Sequence, residues 1–164
     1  MLLSEDESNF VWNKISELFH FNPSINKGVK AFDISHKYIV YDISNLNEES
    51  IDVMDELITK AFVNCTNKND FMYALDWQHS SFKFNPRKQE EQKSMFIQDE
   101  RYMGGGYNAY FPTYYPDGDY YFFMAGDFNF GYLGHPWQQK VWVFGETLIS
   151  EFEKIENKIG FVKV

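Results

Sequence analysis

Residues 120–144 read Tyr120-Tyr121-Phe122-Phe123-Met124-Ala125-Gly126-Asp127-Phe128-Asn129-Phe130-Gly131-Tyr132-Leu133-Gly134-His135-Pro136-Trp137-Gln138-Gln139-Lys140-Val141-Trp142-Val143-Phe144, and this stretch decides the fold class. Aromatic and β-branched residues suit the pleated surface of a strand. They fall here in three short runs: Tyr120 to Ala125, Phe128 to Leu133 and Val141 to Phe144. A fourth run, Tyr107 to Phe111, precedes them. Pro116-Asp117-Gly118-Asp119 and Ala125-Gly126-Asp127 carry the residues that turns require. Four strands in succession without an intervening helix predict an antiparallel meander.

Outward from this core the pattern changes to helical spacing. Gly145 to about Lys158 places Leu148, Ile149, Phe152, Ile155 and Ile159 on one face, which predicts a closing helix. Upstream, Phe71 to Phe84 reads as strand, turn, strand, followed by a polar linker from Asn85 to Lys93. Asn47 is the expected N-cap of a helix running to about Val63, with Ile51, Met54, Leu57, Ile58, Ala61 and Phe62 on its apolar side. Ala31 to Ile43 reads as one or two strands, a hairpin broken near Ser35-His36. Ser4 to Glu7 forms a capping box, and Phe10, Val11, Ile15, Leu18 and Phe19 line one side of a first helix that ends by Asn22-Pro23. The expectation is a single globular domain over residues 1–164, of the α+β class, an antiparallel meander sheet packed by about three helices.

Composition narrows the function classes. The 164 residues include 17 Phe, 11 Tyr and 4 Trp, apolar area enough for a packed core. Fifteen basic residues face 24 acidic ones, a formal net charge of −9, and only Arg87 and Arg101 are arginines. Binding to phosphate backbones or anionic membranes requires the opposite balance, so neither nucleic acid nor membrane is an expected partner. One cysteine, Cys65, excludes an intramolecular disulfide and a cysteine-based zinc cluster. The acidic N-terminal residues lack the basic-then-apolar order of a secretory leader, and the expected location is cytoplasmic. The helix after Asn47 is unusual in its polar side: Glu48, Glu49, Asp52, Asp55 and Glu56 precede the first cation, Lys60. A solvated helix gains from mixed signs, whereas this one repels itself. Such a face suits a basic partner.

Chemistry-bearing residues gather between Leu75 and Trp137. Asp76, His79, Asp117, Asp119, Asp127 and His135 offer carboxylate and imidazole donors, and His79 or His135 with Asp76 or Asp127 would make an acid–base pair. No spacing matches a helical metal motif, and turn chemistry accounts for most of these residues. Ser80-Ser81 lacks a nucleophile elbow, and Gly104-Gly105-Gly106 is followed by Tyr107 rather than by a phosphate-binding lysine. No catalytic residue, metal or cofactor is therefore expected.

Leu75-Asp76-Trp77-Gln78-His79, Phe84-Asn85-Pro86, Tyr115-Pro116-Asp117-Gly118-Asp119-Tyr120-Tyr121-Phe122-Phe123 and Gly134-His135-Pro136-Trp137 together resemble a bacterial family catalogued as a domain of unknown function, common in low-GC Gram-positive genomes. Small acidic chains of this kind are also similar to the immunity partners of LXG polymorphic toxins. That resemblance implies a non-enzymatic protein that binds and neutralises a cognate toxin encoded by an adjacent gene, through a C-terminal toxic domain that is often a nuclease. A nuclease cleft is rich in cations, so the expected contacts are carboxylates (Glu48, Glu49, Asp52, Asp55, Glu56, Asp117, Asp119, Asp127) with aromatic anchors (Trp77, Tyr114, Tyr115, Trp137). The alternatives are a small metal-dependent or His/Asp hydrolase, and a generic acidic protein-interaction module.

Overall fold

Local signals in the sequence set the helix starts. In a computed structural model, which describes residues 1–89, 97–99 and 107–164, Ser4 caps helix α1 (Glu5–Phe19) and Glu7 reaches back to the Ser4 N–H. Asn47 caps α2 (Glu48–Cys65) by accepting from Ser50 N at 2.8 Å. The other end of α2 is closed by Arg87, whose guanidinium donates to the carbonyls of Val63, Thr66 and Asn67. A cation there satisfies orphan carbonyls and complements the helix dipole. Gly145, at φ +92°, is the N-cap of α3 (Glu146–Ile159). A Cβ at that position would stand 2.6 Å from Phe130 Cβ, so only glycine fits.

The strands are β1 (Tyr38–Asp42), β2 (Met72–Asp76), β3 (Ser81–Phe84), β4 (Ile97–Asp99), β5 (Tyr107–Ala109), β6 (Tyr121–Ala125), β7 (Gly131–His135), β8 (Lys140–Phe144) and β9 (Val162–Lys163). β4 and β5 form a separate antiparallel ribbon. The other seven make one sheet in the order β3-β2-β6-β7-β8-β1-β9, every pair antiparallel; three of the four strands expected in the meander form it as β6-β7-β8, whereas the Tyr107 to Phe111 run supplies β5 of the ribbon instead. The chain is α+β, as its sequence predicts.

Both faces of this sheet are buried. Phe123, Tyr132, Val141 and Val143 pack with Met54, Ile58 and Phe62 of α2 and Leu148 and Phe152 of α3. The alternate residues Phe122, Met124, Leu133 and Phe144 pack with Val11, Ile15 and Phe19 of α1. Period-two alternation therefore divides the strand residues between two cores rather than between core and solvent. Each fully buried Phe or Leu contributes roughly 1.5–3 kcal/mol.

Several expectations are corrected. Ala31 to Ile43 is not a hairpin: only Tyr38–Asp42 is strand, paired with β8 and β9. Residues 31–34 instead lie over the second face, burying Ala31, Phe32 and Ile34, held by Asn22 N→Ala31 O (2.8 Å) and Asp33 N→Phe19 O (2.8 Å). β7 begins at Gly131, because Phe128 takes φ +62° inside the turn that closes with Ala125 N→Phe130 O. Phe10 is 53% exposed, and Trp12 covers the sheet in its place, against Phe122. The linker after Asn85 starts with a 3-10 turn, Pro86–Lys88; residues 90–93 of it, Arg101 and Gly104 to Gly106 lie outside the described residues.

Candidate functional site

Helix α2 lies with one face on the sheet and the other in water, because its apolar residues recur at helical spacing. Glu48, Glu49, Asp52, Asp55 and Glu56 are all exposed. Behind them a buried network fixes the helix to the next segment: Tyr114 Oη donates to Gln89 Oε1 at 2.5 Å, and Thr59 Oγ1 lies 2.7 Å from the same hydroxyl. This anchorage brings residues 113–115 alongside the acids. Asp52 and Asp55, with Ile51 and Met54, face Thr113, Tyr114 and Tyr115 across a cavity of about 240 Å³. A second, wider hollow of about 440 Å³ is lined by Asp52, Asp55, Glu56, Thr59, Lys60 and Val63. Thr113 was not among the residues expected from sequence, because nothing local in residues 113–115 signals their approach to a helix so much earlier in the chain.

The aromatic anchors divide. Tyr115, Trp77 and Trp137 are half-buried, but Tyr114 is only 1% exposed and belongs to the core, where its ring packs on Phe123. Tyr114 therefore offers no side chain to a partner, a correction to its place among the expected contacts. The loop acids divide too. Asp117 and Asp127 are exposed, whereas Asp119 is buried, 9% exposed, and is not a surface carboxylate. Asp127 folds onto its own turn, accepting from Asn129 N and Nδ2.

Asp119 joins a polar cluster. The β2–β6 register sets Asp76 opposite Tyr121, so the 116–119 turn entering β6 arrives beside the turn leaving β2. Asp76 Oδ1 stands 3.0 Å from His79 Nδ1, and Asp119 Oδ2 stands 3.2 Å from the same nitrogen. The Asp76 and Asp119 side chains retain 13% and 12% of their exposure, the His79 side chain 41%. Burial raises the Asp76 carboxyl to about 7, against the pull of His79, and raises Asp119 as well. Burial pulls the His79 imidazole down, but Asp76 and Asp119 more than offset this and raise it. Each group holds its proton more tightly than it would in water.

His135 lies elsewhere. It is fully buried between Tyr120, Phe32, Trp137 and Trp142. Its Nδ1 accepts from Gln138 N at 3.2 Å, so Nε2 carries the hydrogen and donates to Tyr120 Oη, also at 3.2 Å. Burial lowers its pKa to about 4, and protonation of Nδ1 would set two N–H groups head-on. This imidazole is a neutral core residue. Cys65 closes α2 rather than sitting in a loop, and burial, aided by Glu151, pushes its thiol up to about 11, far from a nucleophilic thiolate.

A family model described as "Protein of unknown function (DUF2716)" matches residues 2–149. The chain is also 33% identical over 166 residues to the "Uncharacterized protein YxiI" of Bacillus subtilis (strain 168), an alignment covering 94% of this chain and 91% of that protein. No solved structure matches it significantly. Among the described residues, no helix is long and apolar enough to cross a membrane.

Proposed function

The chain belongs to the DUF2716 family, and from that premise we propose that it is a cytoplasmic immunity protein that binds and neutralises the C-terminal toxic domain of an LXG polymorphic toxin, a nuclease being the expected target. The observation that carries this reading is the outer face of α2, where Glu48, Glu49, Asp52, Asp55 and Glu56 stand exposed beside the Tyr115 wall. The general resemblance of small acidic chains of this kind to the immunity partners of LXG toxins, YokJ among them, adds to it.

The physics of the surface is that of a polyanion mimic. A nuclease holds a row of phosphates with a row of cations, and an inhibitor presenting carboxylates at similar density steers the two proteins together and blocks the cleft. The net charge of −9 extends the attraction beyond the contact itself. Tyrosine beside the charges supplies apolar area that charge alone does not.

Co-expression tests the reading. The C-terminal domain of the toxin encoded beside this gene is induced alone and together with this chain, and growth and co-purification are scored. Rescue with a stable complex is the expected result. A neighbour that kills equally with and without this chain, and does not bind it, overturns the proposal. Binding to an unrelated basic protein without rescue would favour a general acidic interaction module instead.

A further inference from the structure

Two carboxylate oxygens converge on one imidazole nitrogen where the 76–79 turn meets the 116–119 turn, and we propose that Asp76, His79 and Asp119 hold a divalent transition-metal ion, zinc or manganese by the class of their donors. The inference stands apart from the docking role of α2 and does not draw on it.

The geometry comes first. Asp76, His79 and Asp119 each offer a donor atom, and the three lie within 4.8 Å of one another. Neighbouring donors of an octahedral ion with bonds of about 2.1 Å stand about 3.0 Å apart, and those of a tetrahedral ion about 3.4 Å. The two nitrogen–oxygen separations are 3.0 and 3.2 Å. Hydrogen bonding serves this arrangement less well: Nδ1 carries at most one hydrogen, and sharing it between both carboxylates makes a bent three-centre bond. A cation on the shared side satisfies both at once.

Charge balance points the same way. Asp76 and Asp119 are nearly buried, and His79 is the only cationic group among the described residues whose attraction reaches either of them. Asp117 adds a further negative charge near Asp76. Two buried carboxylates against one imidazole hold one negative charge more than the described residues balance, which is costly unless a retained proton or a cation supplies the counter-charge. A divalent ion supplies it. The second-contact groups are in place as well: Asp119 Oδ1 accepts from Tyr120 N at 2.8 Å, which aims Oδ2 at the site.

Mixed imidazole and carboxylate donors suit zinc and manganese, with zinc favoured by intrinsic affinity. Three protein donors leave positions for water, and the half-exposed His79 puts those positions on the solvent side.

The test uses the full chain stripped with a chelator and titrated separately with zinc and with manganese by calorimetry, with Tm followed in parallel. One ion per chain is expected, zinc tighter than manganese, with Tm rising as metal is added. His79→Gln and Asp119→Asn should each weaken binding at least tenfold. His79 sits on an exposed turn, and the side-chain amide that Asp119→Asn introduces keeps an oxygen to accept from Tyr120 N, so both variants fold. Asp52→Asn with Asp55→Asn on α2 should leave metal binding unchanged. No saturable binding of either metal overturns the proposal. So does binding that survives both site variants, or that is lost only in the α2 variant.

Discussion

Along the outer face of α2, five carboxylates stand in water within three turns of helix. At the end of the sheet around Tyr120, an equally dense set of aromatic and polar side chains turns inward. Tyr120 is fully buried, packed edge-on by Phe21, Trp77 and Trp137, with its hydroxyl donating to Ser24 O. Both regions hold residues that the sequence offers as partner contacts, the α2 acids in one and Trp77 and Trp137 in the other. Desolvation separates them: moving a carboxylate out of water is unfavourable without a partner, while moving an aromatic ring out of water is the main gain of folding. One region keeps its charges at the surface, and the other holds this molecule together.

That contrast is open to direct attack. The largest effect is expected at the aromatic end. Tyr120→Ala removes the ring at the centre of that cluster and should cost roughly 3–5 kcal/mol, lowering Tm by about 10 °C in thermal unfolding. Next comes the acidic face: reversing Asp52, Asp55 and Glu56 to lysine should slow association with the toxic domain about 100-fold in stopped-flow mixing. Tm should move by no more than about 2 °C, since exposed charges contribute little to stability. A large Tm loss there would erase the contrast.

Tyr115→Ala, on the wall of the acidic groove, should remove about 1 kcal/mol of binding, a roughly fivefold rise in Kd by calorimetry. The smallest effect concerns His135. Its pKa is about 4 in the folded protein against 6.5 for an ordinary histidine, so between those values the unfolded chain binds more protons and acid weakens the fold. His135→Gln removes that linkage. Its destabilisation, from chemical denaturation, should therefore shrink from about pH 7.5 to about pH 5.5, by on the order of 1 kcal/mol. Growth of the difference at low pH would mean His135 is protonated in the core.

Much of this was legible in residue order. The Ser4–Glu7 capping box and the Asn47 cap are local patterns that form where the spacing places them, and the β6-β7-β8 meander forms with β7 starting three residues later than its composition suggests. Exposure of the α2 acids was legible for the same reason, since helical periodicity assigns faces without reference to the rest of the chain. What depends on distant pairing was not. Tyr114 reads like its neighbour Tyr115, and only the network with Thr59 and Gln89 draws it into the core. Residues 31–34 have strand composition but spend it covering the second face of the sheet, a demand set by α1 and β6. His79 and His135 look alike in sequence, yet the β2–β6 register gives the first two carboxylates, while β7 carries the second into an aromatic core.

The most direct measurement is the association rate of this chain with the toxic domain at about 20 and about 300 mM salt, for wild type and for Asp52→Asn, Asp55→Asn, Glu56→Gln together. Salt at the higher concentration shortens the Debye length to about 6 Å, so steering by exposed carboxylates fades. The wild-type rate should fall at least tenfold across that range, and the variant should start slower and stay nearly flat. Equal rates and equal salt slopes for the two proteins would contradict a docking role for α2.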